Sequence, residues 1–299
     1  MTEAKYIFAL GFFDGVHLGH QALLKECCRL ARERSCETAA ITFDNHPQAL
    51  FSDRIPVLLS SVPDRKALLR RYGMDQILVL PVTAEVMSTP WKDFLEDLLD
   101  RGAAGFVCGD DFRFGARGEG DAQKLTEFCE SRALPCRVVS EQVLDGKRIS
   151  STRIRGKIEE GNMESATRLL GHPHTLTGRV VHGHRLGRKL GFPTANLLLP
   201  PGVATPKFGV YACRAIVDGV AYPAVTNVGT RPTVSGTGIT VEPWILDFEG
   251  DLYDREILLE FYYFLRPETK FPDLESLRRE IRHNGEQTRA YLNALQGEK

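Results

Sequence analysis

The sequence predicts two fold classes in one chain, an α/β unit followed by an all-β unit that ends in a helix. Residues 5–140 alternate short apolar runs with amphipathic stretches at helical spacing, which is typical of a parallel sheet with helices on both faces. From Leu176 onward, short β-rich runs are broken by Gly and Pro, which favours a compact antiparallel barrel. The C-terminal stretch then returns to helical spacing, with Leu274, Leu277 and Ile281 on one face.

The composition narrows the class of protein. A chain of 299 residues suits two domains, and a net charge of -1 gives no electrostatic case for nucleic-acid or membrane partners. The seven cysteines form an odd set without a CxxC pair, which argues for reduced thiols. The first residues lack the features of a signal peptide. We therefore expect a soluble cytoplasmic protein, and the sequence does not indicate its oligomeric state.

In chain order, the first half alternates between the two kinds of element. We predict strands at 6–10, 37–43, 76–82, 105–109 and 136–140, and helices at 64–72, 91–101, 122–132 and 162–170. Ligands of such a sheet bind beyond the carboxyl ends of its strands. Three unusual loops, which contain His17, His46 and Asp111, follow strands at that edge, so we expect them to converge on one site.

The first of these loops joins a buried strand to an amphipathic helix, expected after His20, through a turn at Asp14 and Gly15. His17 and His20 are three residues apart, so they should lie on one side of the first helical turn, beside N–H groups without intrahelical acceptors. The helix dipole favours an anion there, and Gly19 would permit its close approach. Because no GxxxxGK[ST] occurs and no GxGxxG follows a strand, we predict a phosphate cradle of another type.

Residues 11–20 read GFFDGVHLGH, which resembles the HxGH signature of the nucleotidylyltransferase superfamily. In that superfamily the paired histidines bind ATP phosphates while a second phosphate attacks the α-phosphorus. The wider pattern GxFDGxHxGH resembles the start of the bacterial bifunctional riboflavin kinase/FAD synthetases. A lone histidine pair is usually structural, but this context favours the functional interpretation. The resemblance implies a Rossmann-like domain whose ATP site comprises Gly11, Phe12, Asp14, Gly15, His17, Gly19 and His20, with both histidines catalytic.

A second anion site is predicted at RISSTRIR, which begins at Arg148. Serine and threonine hydroxyls can cap the helix that follows, beside arginines at its start. The run resembles the ISSTxIR element of the same family, which helps to hold the ATP phosphates. This implies ATP binding by Ser150, Ser151, Thr152 and Arg153, and a catalytic role for Arg155. An ordinary helix cap is the alternative, and the two interpretations are compatible.

The two other loops, TFDNHP and GDDFRFG, are interpreted as flavin contacts through His46, Pro47 and Asp111. His46 before Pro47 could be only a turn. Asp110 and Asp111 could equally cap or solvate their loop, and the sequence does not separate these alternatives.

The composition changes near residues 171–175, so we predict domains at 1–173 and 174–299. In the second domain we predict strands at 178–181, 209–217, 222–228, 239–248 and 257–264, and a final helix with a possible break at Asn284 and Gly285.

The second domain carries its own signature, GFPTAN, within residues 178–197. A hydroxyl and an amide two residues apart offer oxygen ligands to Mg²⁺, although the segment could also be a proline turn braced by an asparagine. It resembles the GFPTAN motif of riboflavin kinases. The resemblance implies a six-stranded Greek-key-type barrel that binds ATP through Gly187, Gly191, Thr194 and Asn196, with Mg²⁺ at Thr194 and Asn196.

Further similar motifs are NVGTRPT, VEPWILDF, DLY and FLRPETKF, so the resemblance spans nearly the whole chain. Riboflavin's terminal hydroxyl must lose a proton as it attacks the γ-phosphate, and the family places a carboxylate for this at Glu242. Asn227 and Arg266 are the corresponding flavin contacts. Without the surrounding motif, Glu242 would be interpreted as a solvated strand residue.

The implied activity has two stages, phosphorylation of riboflavin to FMN and adenylylation of FMN to FAD, with Mg²⁺ as cofactor. One alternative is an enzyme in which only one of the two sites is catalytically active, and another is a non-catalytic flavin-sensing protein. The presence of His17, His20, Thr194 and Glu242 argues against the second. Departures from the family pattern at Phe12, Asp44-Asn45 and Pro243-Trp244 could alter flavin fit or shift Glu242.

Overall fold

The computed structural model describes residues 5–50, 55–182, 191–233 and 236–297, in two compact units, Met1–Ser151 and Thr152–Lys299. The first unit is built on a five-stranded sheet. Its strands are β1 (Tyr6–Leu10), β2 (Glu37–Phe43), β3 (Gln76–Leu80), β4 (Ala103–Gly109) and β5 (Cys136–Val139). They lie in the order β3-β2-β1-β4-β5, and every neighbouring pair is parallel, as the alternating pattern predicts.

Helices cover both faces of this sheet. They are α1 (Leu18–Arg34), α2 (Val62–Arg71), α3 (Ala84–Met87), α4 (Trp91–Asp100) and α5 (Ala122–Glu130). Successive side chains of β1 point to opposite faces: Ile7 belongs to one buried cluster with Leu24 of α1, and Phe8 belongs to another with Leu95 of α4. This explains why the strand is continuously apolar, since a parallel sheet buried on both faces has no polar side.

Several details of the first unit differ from the sequence prediction, including the unpredicted short helix α3. Helix α1 begins at Leu18 and not after His20, because the His17 side chain caps it and moves its start toward the turn. A short antiparallel ribbon of β6 (Val143–Leu144) and β7 (Lys147–Arg148) was not predicted. Two residues per strand are too few to produce a periodic pattern in the sequence.

The second unit contains a closed barrel. Two helices, α6 (Ser151–Glu159) and α7 (Met163–Leu170), precede the strands β8 (His174–Val181), β9 (Asn196–Leu198), β10 (Gly209–Val217), β11 (Val220–Thr233), β12 (Gly236–Ile245) and β13 (Glu256–Arg266). The strands close in the order β10-β11-β12-β9-β8-β13, with antiparallel neighbours throughout. Because β13 returns to lie beside β10 after the β10-β11-β12 meander, the connection is a Greek key.

Helices α6 and α7 lie in the second unit, apart from Ser151 at the start of α6. The Lys207 N–H donates to the Ile158 carbonyl over 3.2 Å, and the Tyr211 hydroxyl lies close to Gly161. These contacts with the barrel explain why the compact units divide after Ser151, earlier than residue 173. The domain boundary after residue 173 stays a prediction.

The final helix, α8 (Leu274–Gly297), is continuous, so the predicted break at Asn284 and Gly285 is wrong. The Asn284 side chain is 1% exposed, accepts a hydrogen bond from Arg266 Nε over 3.0 Å and donates one to Glu280 over 3.0 Å. A Cβ atom at residue 285 would lie 3.0 Å from the Trp244 ring. Tertiary contacts therefore outweigh the low helix propensity of both residues.

Candidate active sites

A cavity of about 460 Å³ opens at the carboxyl edge of the parallel sheet. Its lining comes from the turn after β1, the loops after β2 and β4, and the segment from Val139 to Ser151. The three loops that the sequence predicts to converge therefore all contribute to this one cavity. The turn contributes Gly11, Phe12, His17, Gly19 and His20.

The turn itself is strained and buried. Three of its residues have left-handed backbone, namely Phe13 (φ 57°), Gly15 (φ 73°) and Val16 (φ 41°), which is costly for a β-branched valine. Asp14 is 1% exposed, and its Oδ1 accepts the N–H groups of Leu59 over 2.7 Å and Ser60 over 3.2 Å. The Gly15 N–H donates to Ser60 Oγ over 3.1 Å. Asp14 and Gly15 are not among the cavity-lining residues, so their described contacts shape the turn, and their binding of ATP stays a prediction.

His17 and His20 lie together, as predicted. Their rings stack with centroids 3.6 Å apart and planes 12° apart, and His17 Nδ1 accepts the His20 N–H over 3.3 Å. A neutral His17 that accepts at Nδ1 carries its proton on Nε2, which is then a donor. A Cβ atom at Gly19 would lie 3.2 Å from the His17 ring. The glycine therefore makes room for the histidine, a role that the sequence interpretation did not give it.

Burial lowers the pKa of His20 well below its usual range, and the charges of His17 and Arg65 lower it further. His20 is consequently neutral near pH 7. Its Nδ1 is buried without a hydrogen-bond partner in the described part of the chain. Near pH 7, the two histidines are therefore suited to hydrogen-bond donation to a phosphate.

The rest of this cavity is aromatic and charged. Phe12, Phe43, Phe112 and Phe114 line it together with Pro47, which suits a planar ligand. Two further residues were predicted as flavin contacts. The His46 ring packs edge-on against Phe12 with centroids 5.2 Å apart and is not a lining residue. Asp111 lines the cavity and pairs with Arg148.

The second predicted anion site divides between the units. Ser150 and Ser151 line the cavity, and Ser151 Oγ donates to the Asp14 carbonyl over 3.1 Å. Thr152, Arg153 and Arg155 belong to the second unit. Their roles toward ATP stay predictions.

In the barrel, Glu242 of β12 and Asn227 of β11 are directly opposite in the strand register. Both line a cavity of about 700 Å³ together with Thr194 and Arg266. The strand register therefore brings together the residues that the sequence separates widely. Arg266 is held by Asn284 and, over 3.1 Å, by Glu280, and its contact with flavin stays a prediction.

Thr194 also lines a smaller cavity, of about 120 Å³, with Asn196, Asp251 and Tyr253. The hydroxyl and amide oxygens at this cavity are hard ligands of the kind that Mg²⁺ prefers. No cluster of three or more His, Cys, Asp or Glu side chains suited to a metal is found within the described ranges. Gly191 is exposed with φ 86°, and Gly187 lies outside the described residues.

The Pro243-Trp244 departure builds one wall of the larger cavity. Trp244 lines it two residues beyond Glu242, with its ring edge-on to Phe192 at 4.9 Å between centroids. Pro243 is opposite Thr226 and Glu242 is opposite Asn227 in the strand register. The strands therefore stay regularly paired at this departure from the family pattern. The prediction that this departure could shift Glu242 is therefore not supported by the strand pairing.

Comparison with known proteins divides the chain into two parts that correspond to the two compact units. A family model described as FAD synthetase matches residues 1–153, and one described as riboflavin kinase matches residues 170–292. A bifunctional riboflavin kinase/FMN adenylyltransferase of Listeria monocytogenes is 34% identical, with 99% of this chain and 95% of that protein covered. The chain belongs to the bifunctional riboflavin kinase/FMN adenylyltransferase family. An Escherichia coli K12 protein of the same description is 36% identical, covering 92% of this chain and 89% of that protein.

One solved structure has a similar fold along nearly the whole chain. A Streptococcus pneumoniae crystal structure, described as a macrolide-efflux protein, has a TM-score of 0.86 and 29% sequence identity, and covers 97% of this chain and 95% of its own. Within the described residues, the chain has no helix that is both long and apolar enough to span a bilayer.

Some residues at the two sites of this family member were not predicted. Arg148 lines the first cavity and pairs with Asp111 and Glu141; its position directly before the ISST run was an available signal. Phe192 and Trp244 form part of the barrel cavity, and the aromatic replacement in VEPW pointed to the second of them. Arg65 packs beneath the first cavity and resembles an ordinary helix-surface charge in the sequence.

Proposed function

We propose that this chain phosphorylates riboflavin to FMN and then adenylylates FMN to FAD, consuming one ATP in each step. The observation that carries the proposal is that each of the two family matches corresponds to one compact unit with its own cavity lined by motif residues. Two sites are expected, because transfer of the γ-phosphoryl and of the adenylyl group places ATP differently against the acceptor.

In the barrel, the Glu242 carboxylate accepts the proton of riboflavin's terminal hydroxyl. The hydroxyl oxygen then bonds to the γ-phosphorus of ATP, the bond from that phosphorus to the ADP oxygen breaks, and FMN and ADP leave. The shared lining residue Thr194 supports this arrangement, because it joins the cavity with Glu242 to the cavity with Asn196. Asn227 and Arg266 are assigned to the flavin.

Thr194 and Asn196 are the residues that would hold Mg²⁺. Their oxygens suit this hard ion, which supplies charge neutralisation to the ATP phosphates when bound. Gly187 and Gly191 are assigned to the same nucleotide by the family resemblance.

In the first unit, an oxygen of the FMN phosphate bonds to the α-phosphorus of a second ATP. The bond to pyrophosphate breaks, and FAD is formed. The attacking phosphate is already ionised and needs no general base. His17 and His20, with the N–H groups at the start of α1, donate hydrogen bonds to the charge that develops on the phosphates. We assign Gly11, Phe12, Asp14, Gly15, Gly19, Ser150, Ser151, Thr152, Arg153 and Arg155 to the same nucleotide, and His46, Pro47 and Asp111 to the flavin.

The seven free cysteines support the cytoplasm as the compartment for both reactions. The test is product chromatography after the purified chain is incubated with riboflavin, ATP and Mg²⁺. FMN should form first and FAD second, with one ADP and one pyrophosphate released per FAD. If FMN accumulates and supplied FMN is not converted, the adenylyltransferase half of the proposal is wrong. If riboflavin is left unchanged, the kinase half is wrong.

A further inference from the structure

A buried arginine beneath the histidine turn has no part in the reactions described above. Arg65, in α2, is 0% exposed and is the largest fully buried side chain in the described part of the chain. Transfer of a charged group from water into a protein interior is strongly unfavourable unless the surroundings compensate it.

Its hydrogen bonds join two loops at the carboxyl edge of the sheet. Arg65 Nη1 donates to Thr42 Oγ1 over 2.8 Å, to the Phe43 carbonyl over 3.0 Å and to the Phe12 carbonyl over 3.3 Å. Phe12 belongs to the histidine turn, and Phe43 is the last residue of β2, directly before the loop that contains His46. The guanidinium carbon also lies 4.6 Å from the centroid of the Phe12 ring. Arg65 therefore fixes the turn of the predicted ATP site to the loop of the predicted flavin site.

Its charge is not neutralised by a hydrogen-bonded carboxylate. Nε and Nη2 have no hydrogen-bond partner within the described ranges. Burial lowers the pKa of Arg65, while Asp14 and Asp44 oppose this through space. The ordinary pKa of an arginine lies so far above neutral pH that the lowered group stays protonated there. A positive charge thus lies in a low-dielectric position beside the cavity, where its field is screened little by water.

We propose that Arg65 is a positioning residue of adenylyl transfer, which holds the two loops in register and stabilises, by its buried charge, the negative charge that develops on the phosphates. This inference rests on the proposed adenylyltransferase activity. Preorganised charge of this kind lowers a barrier because it is already oriented before the reaction begins.

The same charge acts on His20, whose neutral form it favours. Other charged groups lie on the same turn or line the same cavity. On the turn and α1 these are Asp14 and His17, and around the cavity they are Asp110, Asp111, Arg113, Glu141 and Arg148. Among the charged groups that the structure describes, only His17 and Arg65 shift the pKa of His20.

Two substitutions separate charge from hydrogen bonding. Arg65→Gln keeps an N–H donor but removes the charge, whereas Arg65→Lys keeps the charge with a single nitrogen. With supplied FMN and ATP, we expect Arg65→Gln to lower kcat for FAD formation about 100-fold, with a smaller change in KM for ATP. Arg65→Lys should retain kcat to within about 10-fold. Riboflavin phosphorylation by the same preparations should stay at the wild-type rate. This rate shows that the second unit is folded.

A matched control is Thr38→Val, at the amino end of β2, because the Thr38 hydroxyl is also buried and hydrogen-bonded, to Gly73 and Asp75. It should lower the thermal midpoint without changing kcat at a temperature where the protein is folded. The readout that packing alone would not move is the pKa of His20, measured by NMR titration of its ring and assigned with His20→Asn. This pKa should rise in Arg65→Gln and stay near the wild-type value in Arg65→Lys.

If the wild type makes FAD, an Arg65→Gln variant with wild-type kcat would overturn this inference. It would leave the proposed adenylyltransferase activity unaffected. Equal losses in Arg65→Gln, Arg65→Lys and Thr38→Val would also overturn the inference, because they would assign the effect to packing. A wild-type protein that makes no FAD from supplied FMN would refute both the proposed adenylyltransferase activity and this inference.

Discussion

The two sites differ in how their polar groups are held. In the first unit, Asp14 and Arg65 are buried beneath the cavity and bonded to backbone groups of neighbouring loops. In the barrel, Thr194 is exposed at an isolated bridge to Trp244, and Glu242 is half-buried on β12 opposite Asn227. The first site is thus built on a strained, buried turn, and the second on paired β backbone of the barrel.

This difference has a consequence for mutation. A substitution in the turn after β1 alters both stability and chemistry, because strained backbone persists only while its surroundings determine it. A substitution of a half-buried strand residue alters chemistry with little cost in stability. The predictions below test this contrast, beginning with the largest expected effect.

Glu242→Gln should lower kcat for riboflavin phosphorylation about 1000-fold, because it removes the proposed general base and keeps the shape of the side chain. FAD formation from supplied FMN and the thermal midpoint should be unchanged. Glu249→Gln, at an exposed position beyond the same strand, is the matched control and should retain full kinase activity. A Glu242→Gln enzyme within about 10-fold of wild type would remove this residue from the mechanism.

His17 should show the coupling of stability and chemistry expected for the first unit. His17→Ala removes both the ring and the cap on the His20 N–H, so we expect about a 100-fold loss in adenylyl transfer and about 1 kcal/mol less unfolding free energy. His17→Asn keeps a capping oxygen and should restore most of the stability but not the activity. Product assays and denaturant unfolding measure the two effects separately. Recovery of activity in His17→Asn would show that the histidine acts only as a cap.

The smallest effect is expected at Gly285. A Cβ atom there lies 3.0 Å from the Trp244 ring, so Gly285→Ala should displace the indole and raise KM for riboflavin about fivefold, or about 1 kcal/mol. Adenylyl transfer should not change. Gly297→Ala, on the same helix with open space around it, is the control. An unchanged KM in Gly285→Ala would mean that Trp244 does not shape the riboflavin cavity.

Most elements could be predicted because each has a local signal. The apolar run of β1 and the alternation with amphipathic helices predicted the parallel sheet, and β2 and β10 lie at their predicted bounds. The strand β9 was not among the predicted strands, since its three residues are too few for a period to show. The possible break in α8 was suggested by Asn284 and Gly285, whose helix propensities are low, and tertiary packing overrode that signal.

The sites were predicted to an uneven extent. His17, His20, Thr194 and Glu242 were predicted because their motifs keep them at fixed spacings, and all four line a cavity. Arg65 was not found, because in VPDRKALLRR it is one of several charges on a short helix, and no local pattern distinguishes the one that is buried. The contact between Gly19 and the His17 ring was not predicted for a related reason: the sequence shows that a side chain is absent, but not which neighbour lies beside it.

The sequence by itself determined which elements form and which chemical groups are available, because hydrophobic period, caps and motif spacing are properties of nearby residues. Only the tertiary structure decided which of these groups share a cavity and what electrostatic environment surrounds them. Thr194, Asn227 and Glu242 meet through the register of the barrel, and Arg65 reaches Phe12 across 53 positions of the chain. Burial and electrostatic fields depend on such long-range contacts, so they become defined only when the chain has folded.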